Sequence, residues 1–186
     1  VVDALHSMVA GVNISNRYND MPGQKAWLDW AVYAKGEVSA ELFNLCVEVW
    51  NKAGWGKKKK QQLMHEAQLH LHGDECLVRV RRHDWVRRKN QISRSYLEMF
   101  RKANSHITMM SSYFLPGTPF RRNLAHAAKR GVVIKVITAG TSDISMAKHA
   151  ERYLYRWMFR NNIQLYEYQP NVLHGKLSTY DGKFVT

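Results

Sequence analysis

Between Ile92 and Tyr168 the hydrophobic period switches repeatedly from helical to extended, and this alternation restricts the chain to few architectures. Ile92, Tyr96, Leu97, Met99 and Phe100 recur at helical spacing, and residues 107–111 then read as a strand. Thr118 is a candidate N-cap with Pro119 at the first helical position. Leu124, Ala127 and Ala128 mark the buried face of that helix, and Gly131 is its stop. Residues 132–138 form a β-branched buried strand, 144–160 a long helix and 163–168 a further strand. Before this block, 9–14 and 26–34 read as strands. A helix capped by Ser39 runs through Leu42, Leu45, Cys46, Val49 and Trp50 to Gly54, and 75–80 is strand-like. Such alternation predicts the α/β class, with a mostly parallel mixed sheet flanked by helices.

The sharpest chemical signal follows, in Leu173-His174-Gly175-Lys176-Leu177-Ser178-Thr179-Tyr180-Asp181-Gly182. It reads as a strand that places His174 and Lys176 on one face, two residues apart, with Gly175 keeping the other face thin. An ammonium that holds an anion beside an imidazole that attacks or carries a proton suits phosphate-ester chemistry. Asp181-Gly182 then reads as a two-residue hairpin turn.

The 186 residues carry a formal charge of +13, which points to an anionic partner, either a phospholipid surface or nucleic acid. Lys57-Lys58-Lys59-Lys60, with Trp55 just before, suits an anionic bilayer; a solvated charged loop is the alternative. Arg79, Arg81, Arg82, Arg87, Arg88 and Lys89 form a second basic cluster. On a strand, Arg79 and Arg81 would share a face, as phosphate contacts or as charges guarding a sheet edge. No apolar run reaches the ~18 residues of a membrane span. Cys46 and Cys76 read as free thiols of a reducing compartment, and His65, His70, His72, Asp74 and Cys76 match no metal-ligand spacing. Tyr153, Tyr155, Trp157 and Phe159 read as core and rim of their helix.

The His174, Lys176 and Asp181 spacing resembles the HKD motif of the phospholipase D superfamily, and the chain is most similar to its bacterial cardiolipin synthase branch. Ser112-Tyr113-Phe114-Leu115-Pro116, the junction 127–132 and the approach 166–170 resemble the second half of such two-motif enzymes. Val1-Val2-Asp3 resembles the end of a first HKD motif, Gly11-Val12-Asn13-Ile14 and Arg17-Tyr18 the segment after it, and Ala26-Trp27-Leu28-Asp29 a following strand with an acidic residue. The resemblance covers nearly all of the chain except about residues 53–90. It divides the chain into the tail of a first half (1–52), a basic insertion or linker (53–90) and a second half (91–186). On this reading the chain is a fragment, incomplete at both ends and inactive alone.

The resemblance implies a phospholipase D-like α/β sandwich and a ping-pong transfer through phosphohistidine, with no metal or other cofactor. The nucleophile would be the other motif's histidine, with His174 the general acid/base and Lys176 a phosphate ligand. Asn13 would hold a phosphate oxygen from the first half, and Asp29 would orient the absent histidine. Asp181 would hold the turn beneath the site, and Asp3 would be its counterpart. Asn13 reads equally as a turn residue, Asp29 as a solvent-facing carboxylate, and Asp3 as a terminal loop acid. The implied function is a phosphatidyltransferase making cardiolipin from phosphatidylglycerol on the cytoplasmic face of a bacterial membrane. A phospholipase D-type hydrolase or nuclease and a non-catalytic basic docking module are the competing readings.

Overall fold

The computed structural model of the chain describes residues 1–54, 56–61, 75–84 and 89–186. Trp55, His65, His70, His72, Asp74, Arg87 and Arg88 lie outside the described residues. The N-terminal region holds an antiparallel pair, β1 (His6–Ala10) and β2 (Ala31–Lys35), with a short 3-10 turn (Asn16–Tyr18) between them. Helix α1 (Glu37–Ala53) follows and ends at Gly54, whose φ of 70° only glycine adopts freely. The two-residue strands β3 (His83–Asp84) and β4 (Lys89–Asn90) pair, and α2 (Gln91–Lys102) begins directly after them.

The C-terminal region is a five-stranded sheet in the order β7-β6-β5-β8-β9. Its chain order is β5 (His106–Ser111), α3 (Thr118–Lys129), β6 (Val133–Ala139), α4 (Ser145–Arg160), β7 (Gln164–Tyr168), β8 (Leu177–Tyr180) and β9 (Phe184–Val185). Helices α3 and α4 are the crossovers that keep β5, β6 and β7 parallel, whereas β8 runs antiparallel to β5 and β9 antiparallel to β8. The α/β class and the mixed sheet are as expected; the parallel and antiparallel pairings are evenly divided, because the chain returns along β5 after its last helix.

Register builds the core. Ile107 pairs with Ile134 and Met109 with Val136, so one face of the sheet presents a continuous apolar strip. Met99 and Phe100 of α2, Leu124 and Ala127 of α3, and Met158 of α4 complete this buried cluster. Along β6, Ile134, Val136 and Thr138 are buried while Val133 and Lys135 are exposed, the period of two that a half-covered strand requires. The Arg130 guanidinium donates to the carbonyls of Phe100 (2.8 Å) and Ala103 (3.0 Å), satisfying acceptors left open at the end of α2. Tyr155 and Trp157 pack against the core, while Tyr153 and Phe159 face solvent.

Several local expectations are corrected. The first strand lies at His6–Ala10 rather than 9–14, and the second begins only at Ala31, so Asp29 precedes it. Residues 75–82 form no strand, so Arg79 and Arg81 do not share a strand face. Ser39 lies inside α1, buried, with its hydroxyl 2.9 Å from that of Ser7, and Gly36 holds the cap position. Gly117 rather than Thr118 caps α3. At Ser39 and Thr118 a buried tertiary contact or a flanking glycine outweighs the capping propensity that the residue shows alone.

Candidate active site

Strand β8 starts at Leu177, so His174 and Lys176 stand in its lead-in rather than on the strand itself. That lead-in is held as extended chain by the N-terminal region. Leu28 donates its N–H to Val172 O (2.9 Å) and accepts at its own carbonyl from the N–H groups of His174 (2.8 Å) and Gly175 (3.0 Å). Leu28 and Leu173 form an isolated parallel bridge, and Leu173 is buried. The fit is close. A Cβ on Gly175 would collide with Trp30, lying 2.9 Å from its indole nitrogen, and one on Gly11 would lie 2.8 Å from Asp29 Oδ1. Trp30 Nε1 donates to Met110 Sδ (3.2 Å). Met110 points to the opposite sheet face from buried Met109, so the Trp30 segment covers the face that the helices leave open.

This docking sets His174 beside a carboxylate. His174 Nδ1 lies 2.8 Å from Asp29 Oδ2; the Asp29 side chain is 4% exposed and that of His174 24%. A carboxylate only accepts, so Nδ1 carries the proton and Nε2 remains for chemistry. The Tyr18 hydroxyl oxygen stands 3.0 Å from the same Nδ1, and Trp27 lies tilted against the imidazole at 5.9 Å between centroids. Arg17 sits over Trp27 in turn, 4.8 Å from its ring centroid. Asp29 thus meets His174 itself, in a half-buried contact.

The backbone of His174 is fixed from the other side. Its carbonyl accepts from the buried Ser112 Oγ (2.9 Å) and from Lys176 Nζ (2.7 Å). Lys176 also borders an apolar groove of about 190 Å³ lined by Tyr96, Met110, Tyr113, Leu115 and Phe120. Burial, and then the Asp143 carboxylate that accepts its hydroxyl, push the Tyr113 phenol up to about 12. Phe114 N–H, two residues beyond Ser112, donates to Glu151 Oε2 (2.8 Å). Glu151 is buried with Lys148, whose ammonium donates to Glu151 (2.9 Å), Glu167 (2.8 Å), Tyr155 Oη (2.9 Å) and the Ala139 carbonyl (2.6 Å). Burial alone would lower the Lys148 pKa, but bonds to Glu167, Tyr155 and Glu151 outweigh it and hold it above its ordinary value.

Asp181 stands apart from His174 and ties the hairpin to the sheet. Its carboxylate accepts from the N–H groups of Asn104, Ser105 and His106 (each 2.9 Å) and from Ser105 Oγ (2.8 Å). The backbone bonds from His106, Asn104 and Ser105 hold its carboxyl well below the usual range. The turn has three residues rather than two, Asp181 to Lys183, with φ of 52° at Asp181 and 65° at Gly182. Asn13 lies in a surface depression of about 390 Å³ that Tyr18 also lines, which sets it toward the His174 side of the N-terminal region. Asp3 lies in the turn before β1, and no hydrogen bond or ion pair joins it to the His174 cluster among the described residues. Tyr18, Trp27, Ser112 and Glu151 are not singled out individually by the sequence; the resemblance of the Arg17-Tyr18, 26–29 and 112–116 segments is a signal for the first three, and Glu151 has none.

An imidazole with Nδ1 fixed by a buried carboxylate, an ammonium two residues on, and a fully hydrogen-bonded aspartate bracing the turn is a constellation for phosphodiester chemistry. Residues 96–186 match the family described as "Cardiolipin synthase, PLD-like domain", and the chain belongs to the phospholipase D superfamily. It is 30% identical over 187 residues to cardiolipin synthase B of Salmonella typhi, an alignment that covers 100% of this chain and 45% of that protein. It is 24% identical over 183 residues to a probable cardiolipin synthase of Bacillus subtilis (strain 168), covering 98% of this chain and 36% of the relative. The chain thus spans less than half the length of these curated relatives. Among solved structures, a phospholipase D family member, Nuc from Salmonella typhimurium, aligns with TM-score 0.41 and 21% identity over 50% of this chain and 60% of that one.

Proposed function

We propose that this chain provides one histidine site of a phosphatidyltransferase that forms cardiolipin from phosphatidylglycerol through a phosphohistidine. The observation that carries the reading is the half-buried Asp29–His174 pair, made between residues 145 apart in sequence. A carboxylate on Nδ1 orients the ring and stabilises the imidazolium, so Nε2 can give and take a proton at the leaving and entering oxygens.

In the proposed cycle a second histidine, supplied by residues other than these 186, attacks phosphorus in line. The P–O bond to the departing glycerol breaks as the P–N bond forms, and His174 Nε2–H protonates the alkoxide. His174, now neutral, takes the proton of the incoming phosphatidylglycerol hydroxyl. That oxygen displaces the histidine from phosphorus, giving cardiolipin and restoring both imidazoles. Lys176 neutralises a phosphate oxygen, with Asn13 contributing from across the Tyr18 depression. Asp181 keeps the lead-in to β8 in register, and Asp3 is its counterpart in the N-terminal turn.

The test uses the longer protein that contains both histidines, on phosphatidylglycerol vesicles, with products followed by mass spectrometry. Cardiolipin and glycerol in equal amounts, both lost in His174→Ala, is the expected result. Phosphatidic acid without cardiolipin would replace the transferase with a hydrolase. No turnover of lipid, with cleavage of an oligonucleotide, would replace it with a nuclease.

A further inference from the structure

The four lysines Lys57 to Lys60 play no part in the site above, yet they are not a loosely solvated run. Gly54 turns the chain back at the end of α1, and the loop then lies along the last helical turn. Asn51 brackets Lys59 on both sides: Lys59 N–H donates to Asn51 Oδ1 (2.8 Å), and Asn51 Nδ2 donates to Lys59 O (2.9 Å). Trp50 Nε1 donates to Lys57 O (3.4 Å), and the Lys59 ammonium sits 5.0 Å over the Trp50 ring centroid. Lys59 is therefore spent inside the loop. Among the described residues, no hydrogen bond or ion pair engages the ammonium groups of Lys57, Lys58 and Lys60, and all three are exposed.

The surrounding charge reinforces this. Glu48, one turn before Lys52, is already shared between Arg82 (2.8 Å) and Lys52. Those two cations, Arg82 first, hold its carboxyl down to about 2, so at neutral pH it is a carboxylate already paired with both of them.

We infer that the end of α1 with Lys57, Lys58 and Lys60 is a preorganised platform for an anionic bilayer surface. A loop ordered before binding loses little conformational entropy when it docks, so its charges act with full effect. Lipid is favoured over nucleic acid because the Trp50 ring is engaged within the loop, under the Lys59 ammonium and with its N–H on Lys57 O, rather than presented for the base stacking that single strands use.

The test is co-sedimentation of the protein with vesicles of phosphatidylglycerol and phosphatidylcholine, against vesicles of phosphatidylcholine alone. Lys57→Gln, Lys58→Gln and Lys60→Gln together are expected to lower partitioning onto the anionic vesicles on the order of a hundredfold, with no effect on neutral ones. Asn51→Ala, which keeps every charge but frees the loop, is expected to cost about threefold. A control triple, Lys129→Gln, Arg160→Gln and Lys183→Gln, removes the same charge elsewhere and is expected to cost much less. Circular dichroism checks that each variant is folded. Equal losses in the two triples would reduce the effect to net charge and overturn the platform, as would an unchanged loop triple. So would an oligonucleotide that loses more affinity than the vesicles in the loop triple, which would assign the surface to nucleic acid. Because binding is read without turnover, the platform stands or falls separately from the phosphatidyltransferase reading.

Discussion

Two turns in this chain have the same backbone form and opposite surroundings. In the C-terminal one, Tyr180 and Phe184 pair across Asp181 and Gly182, at φ 52° and 65°. In the N-terminal one, Val2 and His6 bridge across Asp3 and Ala4, at φ 49° and 50°. Asp181 receives four donors from residues 104–106, whereas among the described residues the Asp3 carboxylate has no partner. Ala4 also holds a left-handed conformation that costs a non-glycine residue roughly 1–2 kcal/mol, and Gly182 avoids that cost. The regions around the turns differ likewise. The C-terminal sheet closes its own core on α2, α3 and α4, while β1 and β2 leave Met8, Val9, Val32 and Tyr33 exposed. Local sequence can thus repeat a turn, but only a neighbouring segment that supplies donors makes it a brace.

The sharpest way to break the self-sufficiency of the C-terminal region is through its buried ions. Glu151→Gln leaves Lys148 buried with one carboxylate fewer and is expected to cost about 3 kcal/mol in urea unfolding. A loss near zero would mean that Glu167 alone compensates Lys148.

Asp29→Asn asks what the N-terminal region contributes to the site. Turnover in the assay proposed above is expected to fall about a hundredfold with little change in Tm, because the imidazole loses its orienting carboxylate. Unchanged kcat would reduce the N-terminal region to a packing partner.

The paired variants Asp181→Asn and Asp3→Asn test the two turns directly. Asp181→Asn places an amide NH₂ where N–H donors converge, and a drop of several degrees in Tm is expected. A carboxylate whose folded pKa lies below its unfolded one stabilises above the ordinary carboxylate range, and that contribution fades as pH falls through the folded value. The Asp181→Asn difference from the parent is therefore expected to be full at neutral pH and to shrink progressively as pH falls from the ordinary carboxylate range toward the folded value, as thermal melts across pH would read. Asp3→Asn is expected to change Tm by no more than a degree or two, since nothing described holds that side chain. Equal losses at the two positions would dissolve the distinction between brace and free turn.

Much of the C-terminal sheet was legible in advance. The 3.6-residue pattern of α2, the Pro119 and Gly131 punctuation of α3 and the β-branched run of β6 act within a few residues, where propensity and periodicity operate. The same local logic failed at 9–14, 26–30 and 75–80. Residues 11–14 and 75–80 join no ladder and 26–30 have only the isolated bridge of Leu28 with Leu173, whereas a strand is stable only when its hydrogen bonds are taken up by a neighbour. The basic run at 57–60 was visible as charge, but not as an ordered loop, since the Asn51 bracket crosses eight residues.

At the candidate site the division is the same. The sequence by itself determined the His174, Lys176 and Asp181 set, because its spacing is written within eight residues. It also determined the order of helices and strands from residue 91 onward and the excess of positive charge. Only the tertiary structure decided that Asp29 meets His174 Nδ1, that Leu28 fixes the lead-in to β8, that Ser112 holds the His174 carbonyl, and that Lys148 and Glu151 are buried. The pairings around His174 join residues 62 to 156 apart, from Ser112 to Tyr18. No local preference encodes them, because they arise where two packed surfaces leave room for one carboxylate and no Cβ on Gly11 or Gly175.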